Sequence, residues 1–429
     1  MSIQLKDSSL LKTQAYINGA WVDGDEGTTF DVLNPANGER LASVASVGAA
    51  ETRRAIEAAE AAMKSWRALP AKSRSDVLER WYDLMMANQE DLAVLMTAEQ
   101  GKPLAESRGE VGYGASFLKW FAEEGKRVYG DVLPSTADRR SIVIKQPVGV
   151  VAAITPWNFP NAMITRKVGP ALAVGCAIVL KPAAETPLSA LAIAELGERA
   201  GLPAGLFSVL PSATASAVGG EMTSNPTVKK VTFTGSTGVG KLLMKQCADT
   251  VKRTSMELGG NAPVIVFDDA DLDKAVAGAL VSKYRNSGQT CICANRLLVQ
   301  EGIYDAFVEK FTAAVNEFRI GNGLEEGTTH GPVITEKAAQ DIHQKVESVV
   351  NAGATVVTGG KVSELGSHFY EPTVITNVTQ DMSLFKEEIF GPVAPVFKFS
   401  TEEEAIAMAN DTEFGLASYV YTNDLGRVW

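Results

Sequence analysis

Val150-Val151-Ala152-Ala153-Ile154-Thr155-Pro156-Trp157-Asn158-Phe159-Pro160 decides how this chain folds. Six uncharged residues, most of them β-branched, suit a strand buried on both faces, and the prolines that follow turn it into loop. The surrounding uncharged stretch, Gln146 to Thr165, approaches the ~20 residues a membrane helix needs. Pro147, Pro156, Pro160, Asn158 and Asn161 interrupt it, so it reads as strand followed by loop. Similar apolar runs recur at Ala177 to Leu180, Leu206 to Leu210, Lys230 to Thr234 and Val264 to Phe267, with helical stretches between them. That alternation predicts a parallel sheet with crossover helices.

Upstream, Ala55, Ile56, Ala59, Ala62 and Met63 form one stripe, and Val77, Leu78, Trp81, Leu84 and Met85 form another, so the N-terminal part is expected to be helix-rich. Thr186-Pro187 reads as N-cap and first-turn proline of a helix running toward Gly201. A second alternating section follows Gly260: a helix from Asp271 to about Asn286, a strand at Arg296 to Val299 and helices at Tyr304 to Phe318, Lys337 to Ala352 and Glu402 to Asn410. Two α/β domains in series, with a seam near Leu258-Gly259-Gly260, account for this pattern. Arg140 to Lys145 is strand-like and fits neither section.

With 51 acidic and 40 basic side chains the formal charge is −11, which argues against nucleic-acid or anionic-membrane partners. The first residues carry no apolar signal segment, so a cytoplasmic location is expected. Four cysteines are too few for a disulfide framework. His330, His343 and His368 lack ligand spacing, so no metal site is expected.

Three segments could carry chemistry. Asn286-Ser287-Gly288-Gln289-Thr290-Cys291-Ile292-Cys293 places a cysteine just past a helix end. Met256-Glu257-Leu258-Gly259-Gly260 places a carboxylate before two glycines at the seam. Asn158 stands between two prolines. Taken singly each has an ordinary reading: a small buried hydrophobe, a solvated charge, a turn residue. With Thr234-Gly235-Ser236-Thr237-Gly238-Val239-Gly240-Lys241 added, the set resembles the NAD(P)-dependent aldehyde dehydrogenase superfamily. The likeness runs from about residue 15 to the end, and also takes in Lys181 and Glu388-Ile389-Phe390-Gly391-Pro392.

The resemblance implies an α/β fold of two doubly wound parallel-sheet domains with a small β excursion used in oligomerisation. Residues 1–127 and 148–258 would be the dinucleotide-binding domain, 128–147 the excursion and 259–429 the catalytic domain. It makes Cys291 the nucleophile, Asn158 an oxyanion donor and Glu257 the general base. A thiol suits this chemistry, because the thioester it forms stays open to water. Trp157, Lys181, Ala184, Gly235, Ser236, Gly240, Leu258, Glu388 and Phe390 would line the dinucleotide. The Gly235 turn lacks GxGxxG spacing, so its role as a phosphate contact rests on the resemblance alone. NAD-preferring relatives carry a glutamate three places after the lysine; Ala184 there points to NADP, and Glu185 keeps NAD open. An esterase using Cys291 without a cofactor would leave the Gly235 turn and Glu388-Ile389-Phe390 unexplained.

Asn158-Phe159-Pro160 through Arg166 and Tyr284-Arg285 through Cys291 resemble the succinate-semialdehyde dehydrogenase subfamily, whose paired arginines hold a substrate carboxylate. Arg166 and Arg285 take that role here. Succinate semialdehyde is the expected substrate, with glutarate semialdehyde as the alternative. Cys293 is either a redox partner of Cys291 or core filler. Members of the family continue for several dozen residues past Trp429, so the resemblance implies a C-terminally truncated chain. With the missing segment it would form a homodimer or homotetramer. A non-catalytic remnant that binds dinucleotide stands beside the enzyme reading.

Overall fold

The computed structural model describes residues 3–429. The chain separates into two compact units. The first holds the chain through Leu33, Glu39–Gln100 and Ser107–Glu257; the second holds Asn34–Gly38, Gly101–Glu106 and Leu258–Trp429. The sequence pattern places the seam one residue later and assigns all of 1–127 to one domain. Segments 34–38 and 101–106 depart from it, because neither carries a periodicity that would reveal its neighbours.

The strands of the first unit are β1 (Ala15–Ile17), β2 (Ala20–Val22), β3 (Thr29–Leu33), β4 (Arg40–Ala45), β5 (Asp131–Leu133), β6 (Ser141–Val143), β7 (Val150–Ile154), β8 (Ile178–Lys181), β9 (Phe207–Val209), β10 (Val228–Thr234) and β11 (Arg253–Glu257). Seven of them form one sheet in the order β11-β10-β7-β8-β9-β1-β2. The five from β11 to β9 are parallel, and the β1–β2 hairpin adds antiparallel at one edge. Four short strands thus precede the expected helices. The β1–β2 turn is Asn18-Gly19, both residues at positive φ (52° and 76°), as a tight hairpin requires. β5 and β6 pair only with each other, and Val132, Leu133, Ile142 and Val143 on them are exposed.

Helices cover this sheet. Trp66 and Trp81 are buried, and each satisfies its indole N–H on a backbone carbonyl, Leu172 and Ile193 respectively. The helix Pro187–Arg199 begins where Thr186-Pro187 predicts, but the Thr186 side chain makes no cap. The fully buried Glu99 carboxylate takes the Leu188 and Ser189 N–H groups instead, each at 2.8 Å. Burial pushes its pKa up to about 8 in spite of those donors.

The second unit contains β12 (Ala262–Val266), β13 (Ala294–Gln300), β14 (Thr355–Thr358), β15 (Thr373–Thr376), β16 (Val393–Phe399) and β17 (Tyr419–Tyr421), in the order β14-β15-β16-β13-β12-β17. All pairs are parallel except β14–β15. Helices Leu272–Tyr284, Tyr304–Val315 and Glu336–Asn351 pack Phe307, Phe311, Ile342 and Val346 against it. No helix among the described residues is long and apolar enough to cross a membrane.

Candidate active site

In the first unit, chain order runs β7, β8, β9 to one side, then β10 and β11 to the other, so the order reverses between β7 and β10. Such a switch point opens a crevice outside the carboxyl ends of the strands. Four strands end there in register: Thr234 lies opposite Glu257, Phe233 opposite Ile154 and Ile154 opposite Lys181. The turns leaving them are tied together by Thr155 N–H to Lys181 O (3.1 Å) and Gly235 N–H to Glu257 O (3.0 Å). Glu257, Gly235, the Thr155-to-Pro160 loop and Lys181 therefore share one sheet edge, ~14 Å long at the usual strand spacing.

Each group on that edge has its own surroundings. Asn158 is buried, Trp157 partly buried and Glu257 exposed. Lys181 is buried with its ammonium on the Pro182 carbonyl at 3.0 Å, and desolvation lowers its pKa while Glu185 raises it. Ala184 is half-buried and Glu185 exposed. Ser236 is the exposed N-cap of helix Thr237–Ala248, and its hydroxyl is not used as a cap. A Cβ built on Gly238 would meet nothing within 4 Å. This helix start, with its open space and unused hydroxyl, fits a dinucleotide pyrophosphate. Gly240 is buried in the first turn of this helix. Its N–H closes the first helical turn on Ser236 O at 3.0 Å, which removes it from the open donors.

Arg166 and Lys167 sit on helix Ala162–Ala173. The Glu110 carboxylate caps its start, taking Asn161 and Ala162 N–H at 2.9 and 3.2 Å. Arg166 donates to the Tyr113 phenol oxygen (3.1 Å), contacts Met163 Sδ (3.6 Å) and lies over the Phe117 ring (4.9 Å to its centroid). Lys167 is buried, bonded to Thr232 Oγ1 at 3.1 Å. Burial pushes its pKa down to about 8, with Glu257 pulling the other way.

In the second unit the candidate residues collect at the opposite end of the strands, in the loops entering β12, β13 and β16. The helix Leu272–Tyr284 ends at Arg285, whose charge acts on the Tyr419 phenol. Asn286 and Ser287 then take left-handed conformations (φ 52° and 54°), followed by Gly288 at φ 74°. Such residues cost of order 1 kcal/mol each and persist only where neighbours over-determine them. Here Ser287 Oγ donates to Gly331 O (2.8 Å), Gln289 Nε2 to Asn286 O (3.0 Å) and Ile334 N–H to Gln289 Oε1 (2.9 Å). The turn delivers Cys291 half-buried and outside any disulfide.

Two further contacts hold it. Tyr419 donates to Ile292 O at 2.9 Å. Gly260 stands so close that a Cβ there would overlap the Cys291 carbonyl oxygen. The Gly260 N–H donates to Glu388 Oε1 at 3.0 Å, and burial raises the pKa of that carboxyl against the pull of Gly260, Lys345 and Lys283. Leu258 is half-buried, as is Phe390, which is left-handed (φ 52°). Cys293 is 2% exposed. It accepts from the fully buried Lys283 Nζ at 3.2 Å and donates to Lys283 O at 3.4 Å. Lys283 and Tyr419 carry no motif, so only coordinates reveal that they support the cysteine turn. Among the described residues no group of three or more His, Cys, Asp or Glu could hold a metal.

The first unit thus carries a switch-point sheet edge, and the second a cysteine on a strained turn with a half-buried carboxylate, Glu388, bonded to Gly260. The family model described as "Aldehyde dehydrogenase family" matches residues 21–429, and the chain belongs to that family. It is similar to glutarate-semialdehyde dehydrogenase of Pseudomonas aeruginosa, 62% identical over 428 residues, covering 100% of this chain and 88% of that protein. It is also similar to the NADP(+) succinate-semialdehyde dehydrogenase GabD of Escherichia coli, 59% identical over 428 residues, covering 100% and 89%. The crystal structure of succinate-semialdehyde dehydrogenase from Burkholderia pseudomallei superposes with a TM-score of 0.98 at 58% identity, covering 99% of this chain and 88% of that one.

Proposed function

We propose that this chain oxidises succinate semialdehyde to succinate with NAD(P)+. Cys291 Sγ attacks the aldehyde carbon, and the Asn158 amide and the Cys291 N–H stabilise the oxyanion that forms. When bound, the dinucleotide supplies the hydride acceptor that turns the adduct into a thioester on Cys291. Glu257, exposed at its strand end, takes a proton from the attacking water, and the acid leaves as the thiol is restored.

Arg166 carries the substrate assignment. Its phenol, thioether and ring-face partners are all uncharged, which leaves its charge to a carboxylate-ended aldehyde; Arg285 supplies the second cation. Relatives named for succinate and glutarate semialdehyde support this class. Glutarate semialdehyde is the alternative, since one methylene changes kcat/KM only ~10 to 200-fold in an apolar pocket. Ala184 favours NADP: a carboxylate at that position would bond a ribose 2′-hydroxyl and repel a 2′-phosphate. The exposed β5–β6 hairpin is the proposed surface for self-association, which size-exclusion chromatography of Ile142→Lys against the parent tests.

The deciding assay is the rate of reduced-nicotinamide absorbance with succinate semialdehyde, comparing NADP with NAD under thiol reductant, with Cys291→Ala as blank. A cysteine-dependent rate with NADP supports the whole reading. No rate from a chain that melts cooperatively and binds NADP would overturn it.

A further inference from the structure

Arg166 is the hub of a small cluster that the chemistry above leaves unexplained. Tyr113 and Phe117 stand one turn apart on helix Leu104–Glu124, with ring centroids 4.9 Å apart and planes at 63°. The guanidinium carbon lies 4.9 Å from the Phe117 centroid, and Nη2 donates to the Tyr113 oxygen at 3.1 Å. The same helix supplies Glu110, which caps the helix bearing Arg166. Backbone and side chain of Arg166 are thus fixed from one element.

We propose that Tyr113 and Phe117 are positioning residues that aim Arg166 at the substrate carboxylate, and so set selectivity for carboxylate-ended aldehydes. The inference rests on the assignment of Arg166 given above. An arginine free to rotate gives up ~0.5 to 1.5 kcal/mol of side-chain freedom when a ligand immobilises it. Here the ring face sets the guanidinium plane and the phenol sets its rotation before substrate arrives. The phenol accepts one of five N–H donors, which leaves others for the anion. None of the groups that touch the Arg166 guanidinium is an acid, so substrate has no internal ion pair to displace.

Tyr113→Phe, Phe117→Leu, Phe117→Tyr and Arg166→Gln are compared on succinate semialdehyde and on butanal, which has the chain without the carboxylate. KM and kcat are read separately. Tyr113→Phe and Phe117→Leu are expected to lower the semialdehyde-to-butanal ratio of kcat/KM about 5 to 10-fold, the effect of one hydrogen bond or cation–π contact, with the loss in KM. Phe117→Tyr, which keeps a ring face, is expected to restore the ratio. Arg166→Gln should lose about 100-fold. Equal losses on both aldehydes from Tyr113→Phe and Phe117→Leu would mean a merely structural role and overturn the proposal. So would an unchanged ratio in both while Arg166→Gln is impaired. An unaffected Arg166→Gln would instead overturn the assignment of Arg166 itself.

Discussion

Gly260→Ala tests how tightly the second unit fixes its cysteine. The added Cβ would overlap the Cys291 carbonyl oxygen, and the Leu416 side chain at 3.7 Å closes the other side. Gly260 is buried in the loop two residues before β12 and its N–H is held by Glu388, so the glycine cannot simply back away. The yielding part is the Cys291 turn, which must retreat by roughly 1 Å, a misplacement able to cost about 100-fold in rate. That is about 2.7 kcal/mol in the barrier. Overpacking a close contact destabilises by about 1 to 3 kcal/mol, so the variant should still fold at 25 °C with a lowered Tm. The assay pairs steady-state kcat with the rate of Cys291 alkylation by iodoacetamide, which reports the thiol without needing substrate. Expected is a kcat down about 100-fold with alkylation still complete. A kcat within about twofold of the parent would refute the argument that the Gly260 contact positions Cys291 for the proposed attack.

Ala184→Glu should shift the NADP-to-NAD ratio of kcat/KM toward NAD by about 10 to 100-fold, the scale of a charged hydrogen bond gained and a repulsion added; a twofold shift or less would count against the turn after β8 as the site of choice. His330, fully buried among Tyr284 and Phe318, has its pKa pushed down by burial to about 4 from 6.5. A depressed folded pKa gives stability that is present above pH 6.5 and lost as pH falls toward 4, in total roughly 3 kcal/mol. Plotted from pH 7 to 4, the melting temperature of His330→Phe should fall less steeply than that of the parent. Cys176, Cys247 and Cys293 are 1 to 2% exposed while Cys291 is half-buried, so a thiol reagent should titrate one cysteine per native chain and four in denaturant. Mass analysis after peroxide shows whether Cys293 can leave Lys283 to join Cys291; a native titre of two would show that the buried thiol opens readily.

Much of the first sheet was legible because its strands are buried on both faces and read as unbroken apolar runs: Val150 to Ile154 and Ile178 to Lys181 lie within a residue or so of their expected ends. The β1–β2 hairpin was missed, although Asn18-Gly19 between apolar triplets marks it. β14 and β17 could not be read. They are edge strands with mixed burial, and their pairing depends on neighbours far away in sequence. At the site, residues inside motifs were accessible and those that hold them were not. Nothing around Lys283 marks a lysine as fully buried against a thiol, and nothing near Tyr419 announces a bond to Ile292 O. Tyr113 lies 53 residues from Arg166, on a helix whose pattern reads only as amphipathic. The cap of helix Pro187–Arg199 taught the same lesson, since Thr186 marks the right position while Glu99 supplies the acceptor.

The flush carboxyl ends of β11, β10, β7 and β8 also bear on how such a protein can diversify. Each group on that edge hangs from its own strand, and the ladder fixes every strand independently of what its outgoing turn contains. The turn Lys181–Thr186 can therefore be exchanged as a cassette. If position 184 sets dinucleotide choice as proposed, grafting a turn that carries a carboxylate there would retune it, while the loop bearing Asn158 and the strand end bearing Glu257 keep their places. On the proposed roles, dinucleotide choice and bond chemistry then hang from separate strand ends, and a few residues of one loop can alter the first without moving the second.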